Sequence, residues 1–461
     1  MGTFKLNITF LVILIVSTLC LLPLRPYQYE TEKTCLIVSY AISFCIYWFV
    51  CNKIRFDFFH PIHIYFVFYF FIFFITPLFL IDAQDTLCVD DNVMGSCIRA
   101  TIIVVFALLA FSIGYLATKN KIQKPEKVQA LSQKTEKAIL KKSYVIFIFC
   151  YLISIFYALS TGKTIIGIFT FGTLGQAMYM EDNMQFLINV SYLLLVPWLF
   201  ICIYSKRKFI PLLLSYFLVS LFFTYGWRFI IYIIVLGFLI TRARVLGKKI
   251  KLLQVALIVI VLLLFSVFTG AVRGGIRSGQ QTDFEGFTSE NMSSTLESNF
   301  NIYQTYYGVV GTYPEKEDYF YGQACFVYPF VVMWIPRYIW PDKPKGTGFP
   351  AGVALLKSCP SAIREARSFP NIYEYYIDFG PLGVVVFSFF IGVICRKMLD
   401  FYNSCSIYKI ICYAIFIGFM IQFINRGYIA QLFSLFVFLY FPLLAYRKYF
   451  RKSNFQYNIS K

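Results

Sequence analysis

Arginines beside glycine or proline recur through the second half of this chain, and they are the residues best suited to chemistry. Arg273 and Arg277 stand in the run Val272-Arg273-Gly274-Gly275-Ile276-Arg277, Arg228 follows Gly226-Trp227, Arg337 follows Pro336, and Arg426 precedes Gly427. A guanidinium is planar, stays charged and forks two parallel hydrogen bonds onto a phosphate or carboxylate. Neighbouring glycines let the backbone approach the same anion closely. Such a set, gathered from separate elements, suits a diphosphate. Phospholipid headgroups are the alternative anion for each arginine, and for Arg364 and Arg367 as well.

A general base is harder to find. The two histidines, His60 and His63, fall at the opposite end of their apolar stretch from the arginines. Carboxylates remain: Glu374 and Asp378, four residues apart, project from one face of a helix. Asn371 and Glu374 also have capping-box spacing, so Glu374 reads equally as a base or as a helix cap. Asp378 falls deeper, where an ionised acid wants a partner, and one of the arginines would serve. Glu30 and Glu32 have metal-pair spacing but suit an ordinary surface better. No glycine-rich phosphate loop occurs, and no metal or other cofactor is expected.

The elements that position these residues follow from hydropathy. Of 461 residues, 59% are hydrophobic and 14% charged, which excludes a soluble globular chain. A membrane crossing needs about 20 apolar residues. Twelve candidate stretches appear, at residues 4–24, 34–50, 61–81, 98–118, 143–159, 186–204, 209–225, 226–241, 252–269, 372–395, 407–424 and 428–446. They are continuously apolar, which excludes an alternating β-barrel. The first has no small-residue cleavage site after it and reads as a retained signal-anchor. The 33 residues 209–241 lie between basic loops and must cross and return within ~24 Å per helix. Arg228 would then dip below the outer surface.

Lysine and arginine concentrate in alternate loops, such as residues 119–142 with eight lysines. The net charge of +19 is therefore a positive-inside signature, not a nucleic-acid footprint. Both termini are expected in the cytoplasm, with the arginine runs outside. The expected domains are residues 1–269 (nine helices), an outer loop at 270–370, and residues 371–461 (three helices and a tail). The loop is aromatic enough to argue against disorder, and residues 326–340 read as a re-entrant or interfacial segment too short to cross. An oxidising outer side would permit disulfides within loops, Cys88 with Cys97 and Cys325 with Cys359, although free thiols are equally compatible.

At these arginines the chain resembles the O-antigen polymerase family, the oligosaccharide repeat-unit polymerases of bacterial surface polysaccharides. The residues that carry the resemblance are Gly226-Trp227-Arg228, the Arg273 to Arg277 run, Trp340-Pro341-Asp342-Lys343-Pro344-Lys345-Gly346, Phe369-Pro370-Asn371-Ile372-Tyr373-Glu374, Asp378-Phe379-Gly380-Pro381-Leu382-Gly383 and Asn425-Arg426-Gly427. The first two hundred residues match only as apolar spans. The resemblance implies an all-α polytopic inner-membrane protein, GT-C-like, with about twelve helices and one large late periplasmic loop. It implies a glycosyltransferase that moves a growing glycan from undecaprenyl diphosphate onto the terminal sugar of an incoming lipid-linked unit. Catalytic roles then fall to Glu374, Arg273 and Arg277, with Arg228, Arg337, Arg426 and Asp378 binding diphosphate or glycan. Lipid-linked oligosaccharide, membrane lipid, a chain-length regulator and a flippase are the expected partners, and nucleic acid is not. The competing class is a flippase or exporter of the same lipid-linked unit, which would show matched halves and central charges; neither is evident here.

Overall fold

The computed structural model describes residues 30–54, 57–80, 96–118, 125–160, 162–169, 185–207, 209–225, 229–247, 254, 302–335, 339–343, 349–360 and 368–459. All regular elements among them are helical. The principal helices are α1 (Glu30–Lys53), α2 (Pro61–Phe70), α3 (Cys97–Ala117), α4 (Gln133–Ser160), α5 (Leu195–Tyr204), α6 (Phe209–Thr224), α7 (Phe229–Arg244), α8 (Ile302–Thr312), α9 (Pro350–Ser358), α10 (Asn371–Asn403), α11 (Ile407–Asn425) and α12 (Ile429–Ile459). Among the described residues, seven stretches are long and apolar enough to cross a membrane: Glu30–Lys53, Pro61–Leu78, Cys97–Ala117, Gln133–Ser160, Asn371–Asn403, Ile407–Asn425 and Ile429–Phe450. The predicted spans at 4–24 and 252–269 lie outside the described residues, apart from Gln254.

The chain divides into two compact units. The first comprises Met1–Ile122, Glu297–Leu399 and Met420–Phe433; the second comprises Gln123–Leu296, Asp400–Phe419 and Ser434–Lys461. In the second unit α6 and α7 each have sixteen residues, about 24 Å of rise, as the sequence requires. The turn between them, with Arg228, lies outside the described residues. Gly418 on α11 packs directly on α7, where an added Cβ would meet Ile233 Cα at 2.6 Å. At the basic end of α7, Arg244 donates through Nε to the Tyr402 carbonyl at 2.9 Å.

The first unit carries the residues of interest. In α2 a Tyr- and Phe-rich helix opens into a π turn at Phe71–Ile75, and its rings form a dense stack. Tyr65 lies on Phe111 of α3 with centroids 3.8 Å apart and planes 3° from parallel. Glycines set the next layer. A Cβ on Gly114 would lie 2.1 Å from the Phe389 carbonyl oxygen, and one on Gly392 2.1 Å from that of Phe111. Thus α3 and α10 cross backbone to backbone, as small residues permit in membrane bundles.

Within the expected outer loop at 270–370, the described residues 302–335 are built of short helices and turns. Helix α8 is buried along nearly all of its length, with Tyr303, Tyr306 and Tyr307 enclosed. Residues 323–334 form a string of short turns, Gln323–Val327, Tyr328–Phe330 and Val332–Trp334, that expose Phe326, Phe330 and Trp334. Twelve residues rise only about 18 Å as helix, too little to cross; residues 336–338 of the expected segment at 326–340 lie outside the described residues. Lys343 closes this segment by donating to the carbonyls of Met333 at 2.8 Å and Ile335 at 3.0 Å.

Of the two alternatives the sequence left open, the within-loop disulfides do not form. Cys97 and Cys325 are free thiols, whereas Cys359 is disulfide-bonded; Cys88 lies outside the described residues. Cys97 begins α3 and packs near Thr101 at 3.8 Å, so its thiol is committed to the helix core. Cys325 is likewise enclosed, its sulfur 3.5 Å from the Glu374 carbonyl.

Candidate functional site

The break inside α10 organises the site. Gly380 adopts φ 61°, ψ −152°, outside the helical region, and Pro381 follows it. Proline has no N–H to return to the carbonyl four residues back, which belongs to Ile377. That carbonyl is taken by the Phe320 N–H at 2.9 Å, and the Asp378 carbonyl by the Tyr321 N–H at 3.2 Å. Asp378 answers in the other direction. Its Oδ1 accepts from the Ala324 N–H at 3.1 Å and its Oδ2 from the Cys325 N–H at 2.7 Å. Two broken elements therefore satisfy each other reciprocally, as buried backbone polar groups must. Tyr319 seals the joint: a Cβ on Gly380 would lie 2.6 Å from its hydroxyl.

Residues 371–378 are buried on every face, although they include an asparagine, a glutamate and an aspartate. The crossing length of α10 is supplied by residues 381–403 alone, about 34 Å. The nine residues before the break form a separate short helix enclosed by the first unit.

Glu374 is 1% exposed, and its Oε2 accepts from the Ile429 N–H at 2.7 Å. Ile429 begins α12, so the carboxylate meets both the unsatisfied N–H groups and the positive dipole end of that helix. Glu374 also occupies the first turn of its own helix. The capping-box spacing is therefore not used locally. Asn371 instead accepts through Oδ1 from the Tyr69 hydroxyl at 3.1 Å, and Tyr69 receives the Tyr65 hydroxyl at 2.7 Å. A sequence window shows only near neighbours, and both partners here are distant in the chain.

The turn carrying Arg426 rests on the same short helix. Its N–H donates to the Gln422 carbonyl at 2.8 Å, and the Gly427 N–H to the Phe369 carbonyl at 2.8 Å. Gly427 admits no side chain, because a Cβ would stand 2.3 Å from Asn371 Cα and 2.4 Å from the Pro370 oxygen. Arg426 itself is exposed. Tyr428, next in the chain, stacks on Phe349 at 4.8 Å.

Three of the expected site residues, Glu374, Asp378 and Arg426, thus come together around residues 371–379. Arg228, Arg273, Arg277 and Arg337, with Arg364 and Arg367, lie outside the described residues. The histidines sit elsewhere in the first unit. His63 Nδ1 lies 2.7 Å from the Tyr47 hydroxyl and His60 Nε2 2.8 Å from that of Tyr115. Among the described residues no group of three or more His, Cys, Asp or Glu could hold a metal ion. The sequence named Gly380 only as part of the Asp378–Gly383 run and gave Tyr319 and Tyr321 no individual role. The Gly-Pro dipeptide was the available signal, since it breaks helices, but it is masked by the apolar residues around it.

The two Asp378 bonds give a stability prediction. Asp378→Ala leaves two enclosed N–H donors without acceptors and should cost roughly 2–5 kcal/mol. Asp378→Asn keeps one carbonyl acceptor and should cost less. Thermal unfolding in detergent checks the order: wild type, then Asn, then Ala.

The family described as O-antigen polysaccharide polymerase Wzy has a model that matches residues 5–454, nearly the whole chain. No curated protein and no solved structure matches.

Proposed function

The chain belongs to the O-antigen polysaccharide polymerase Wzy family, and from that premise we propose that it polymerises lipid-linked oligosaccharide repeat units at the periplasmic face of the bacterial inner membrane. The growing glycan passes from undecaprenyl diphosphate to a hydroxyl on the terminal sugar of an incoming unit. The anomeric carbon–diphosphate bond breaks, a glycosidic bond forms, the hydroxyl proton goes to a base, and undecaprenyl diphosphate leaves. The donor bond carries the driving force, so no nucleotide is needed on the outer side. Twelve crossings with both termini in the cytoplasm would place the late helical segment and the arginine runs on that face.

The observation that carries the reading is the family match over residues 5–454. Glu374 supports the chemistry. One carboxylate oxygen is pinned by the Ile429 N–H, which fixes its orientation, and the other is assigned to the acceptor hydroxyl as general base. Arg273 and Arg277 are assigned to the departing diphosphate, with Arg228, Arg337 and Arg426 binding diphosphate or glycan. A well-placed donor to developing negative charge is typically worth ~3–4 kcal/mol. Asp378 holds residues 320–325 against the short helix, and through them the wall of the site.

The test uses purified protein in lipid vesicles supplied with undecaprenyl-diphosphate repeat units, scored by a glycan ladder. Arg273→Ala and Arg277→Ala should each cut the rate about a hundredfold or more with normal insertion. Full rates with Arg228, Arg273, Arg277, Arg337 and Arg426 each replaced by alanine would overturn these assignments.

A further inference from the structure

Tyr321 occupies a backbone conformation that a tyrosine should avoid. Its φ of 48° is left-handed, where Cβ crowds the following carbonyl at a cost of roughly 1–2 kcal/mol. Glycine or asparagine would sit there with less strain. Packing does not compensate, because the side chain is 74% exposed, and the Tyr319 ring stands 6.5 Å away edge-on. The conformation is nevertheless imposed. Phe320 and Tyr321 are tied to the Ile377 and Asp378 carbonyls, and Ala324 and Cys325 to the Asp378 carboxylate. Gly322 follows with φ 92°. A rigid frame thus holds out a flat aromatic ring at a position where neither backbone preference nor burial accounts for an aromatic residue. Local rules broken in this way mark functional positions.

We propose that Tyr321 is a glycan-binding residue of the polymerisation site, stacking its ring on the C–H face of one pyranose of a lipid-linked repeat unit. The proposal rests on the polymerase reading above. Its frame is the break in α10 that also bears Glu374, one helical turn before Asp378. A tyrosine held this way offers a broad amphipathic surface with little conformational freedom left to lose on binding. Sugar rings present apolar C–H faces between hydroxyls, and a pre-oriented aromatic plane recognises that shape without demanding one particular sugar.

The experiment measures initial rates against the concentration of undecaprenyl-diphosphate repeat units, extracted from cells lacking this gene. The protein is reconstituted in phosphatidylethanolamine–phosphatidylglycerol vesicles. Tyr321→Gly and Tyr321→Ala should raise KM about five- to tenfold with a smaller change in kcat. Tyr321→Phe and Tyr321→Trp should stay within about twofold of wild type. Tyr321→Gly relieves the backbone, so its Tm should equal or exceed that of wild type. A wild-type KM in Tyr321→Gly would overturn the proposal. So would Tyr321→Leu matching Tyr321→Phe, which would indicate a lipid contact, or a KM change accompanied by lost insertion, which would indicate an interfacial anchor. Absence of a ladder from the wild-type protein would instead remove the polymerase reading, and this inference with it, before any variant is compared.

Discussion

Glu374→Gln should yield a protein that inserts and folds normally but polymerises at least a hundredfold more slowly. Glutamine keeps a carbonyl oxygen that can accept from the Ile429 N–H, now 2.7 Å from the carboxylate, so the start of α12 stays capped. What it loses is the ability to take a proton, and positioned proton transfer typically contributes 10²–10⁴-fold. The substitution therefore separates the two roles that the sequence left level. A cap alone predicts a nearly unchanged ladder rate. A base predicts a rate lowered at least a hundredfold with wild-type thermal stability. Initial rates and unfolding temperatures on the same preparation decide between them. Glu374→Ala is the companion: it should lose both activity and about 1–3 kcal/mol of stability, because the helix N–H is left enclosed and unpaired.

Gly427→Ala should prevent normal assembly of the first unit. The added carbon would stand 2.3 Å from Asn371 Cα and 2.4 Å from the Pro370 oxygen, both backbone atoms that no rotamer change can move. Overpacking against main chain costs typically 1–3 kcal/mol and more where nothing yields; about 3 kcal/mol or above is expected here. Because the Arg426 turn and the start of α12, whose Ile429 N–H Glu374 accepts, are seated on the short helix through this contact, activity should fall with stability. Gly237→Ala is the control. Its Cβ would meet only Leu199 side-chain carbons at 3.4 and 3.7 Å, and alanine in a helix interior gains up to ~1 kcal/mol over glycine. Yield of monodisperse protein after detergent extraction, with its Tm, should separate the two substitutions cleanly.

These contrasts show what one-dimensional reading reaches. Continuous apolar runs foretold helices wherever the structure describes them, because hydrocarbon leaves the backbone few other choices. The stretch 372–395 was legible as a span, yet its break was not: Gly380 and Pro381 sit inside an apolar sequence, and hydropathy averaging smooths over a dihedral angle. Glu374 and Asp378 were legible as a pair on one face. Their partners were not, since Ile429 and Cys325 lie some fifty residues away in opposite directions and both bonds run to backbone N–H groups, which every residue but proline carries. Asn371 looked like a local cap for the same reason, while its partner Tyr69 is 302 residues distant. The cysteines were left open by the sequence, which allowed a Cys325–Cys359 disulfide or free thiols; Cys325 is enclosed beside Glu374 as a thiol. Tyr321 carried no signal, because an exposed tyrosine is unremarkable until its φ is known.

The proposed activity forms glycosidic bonds; a flippase would instead move lipid-linked units across the bilayer unchanged. The direct measurement is mass spectrometry of all products after vesicles containing the purified protein are given undecaprenyl-diphosphate repeat units on the outer face. One undecaprenyl diphosphate should be freed for each new linkage, with every extended glycan still attached to a single prenyl diphosphate, and both products should form at least a hundredfold more slowly in Glu374→Gln vesicles. Repeat units recovered at their original length, with no free undecaprenyl diphosphate and with units transferred to the inner leaflet, would contradict it.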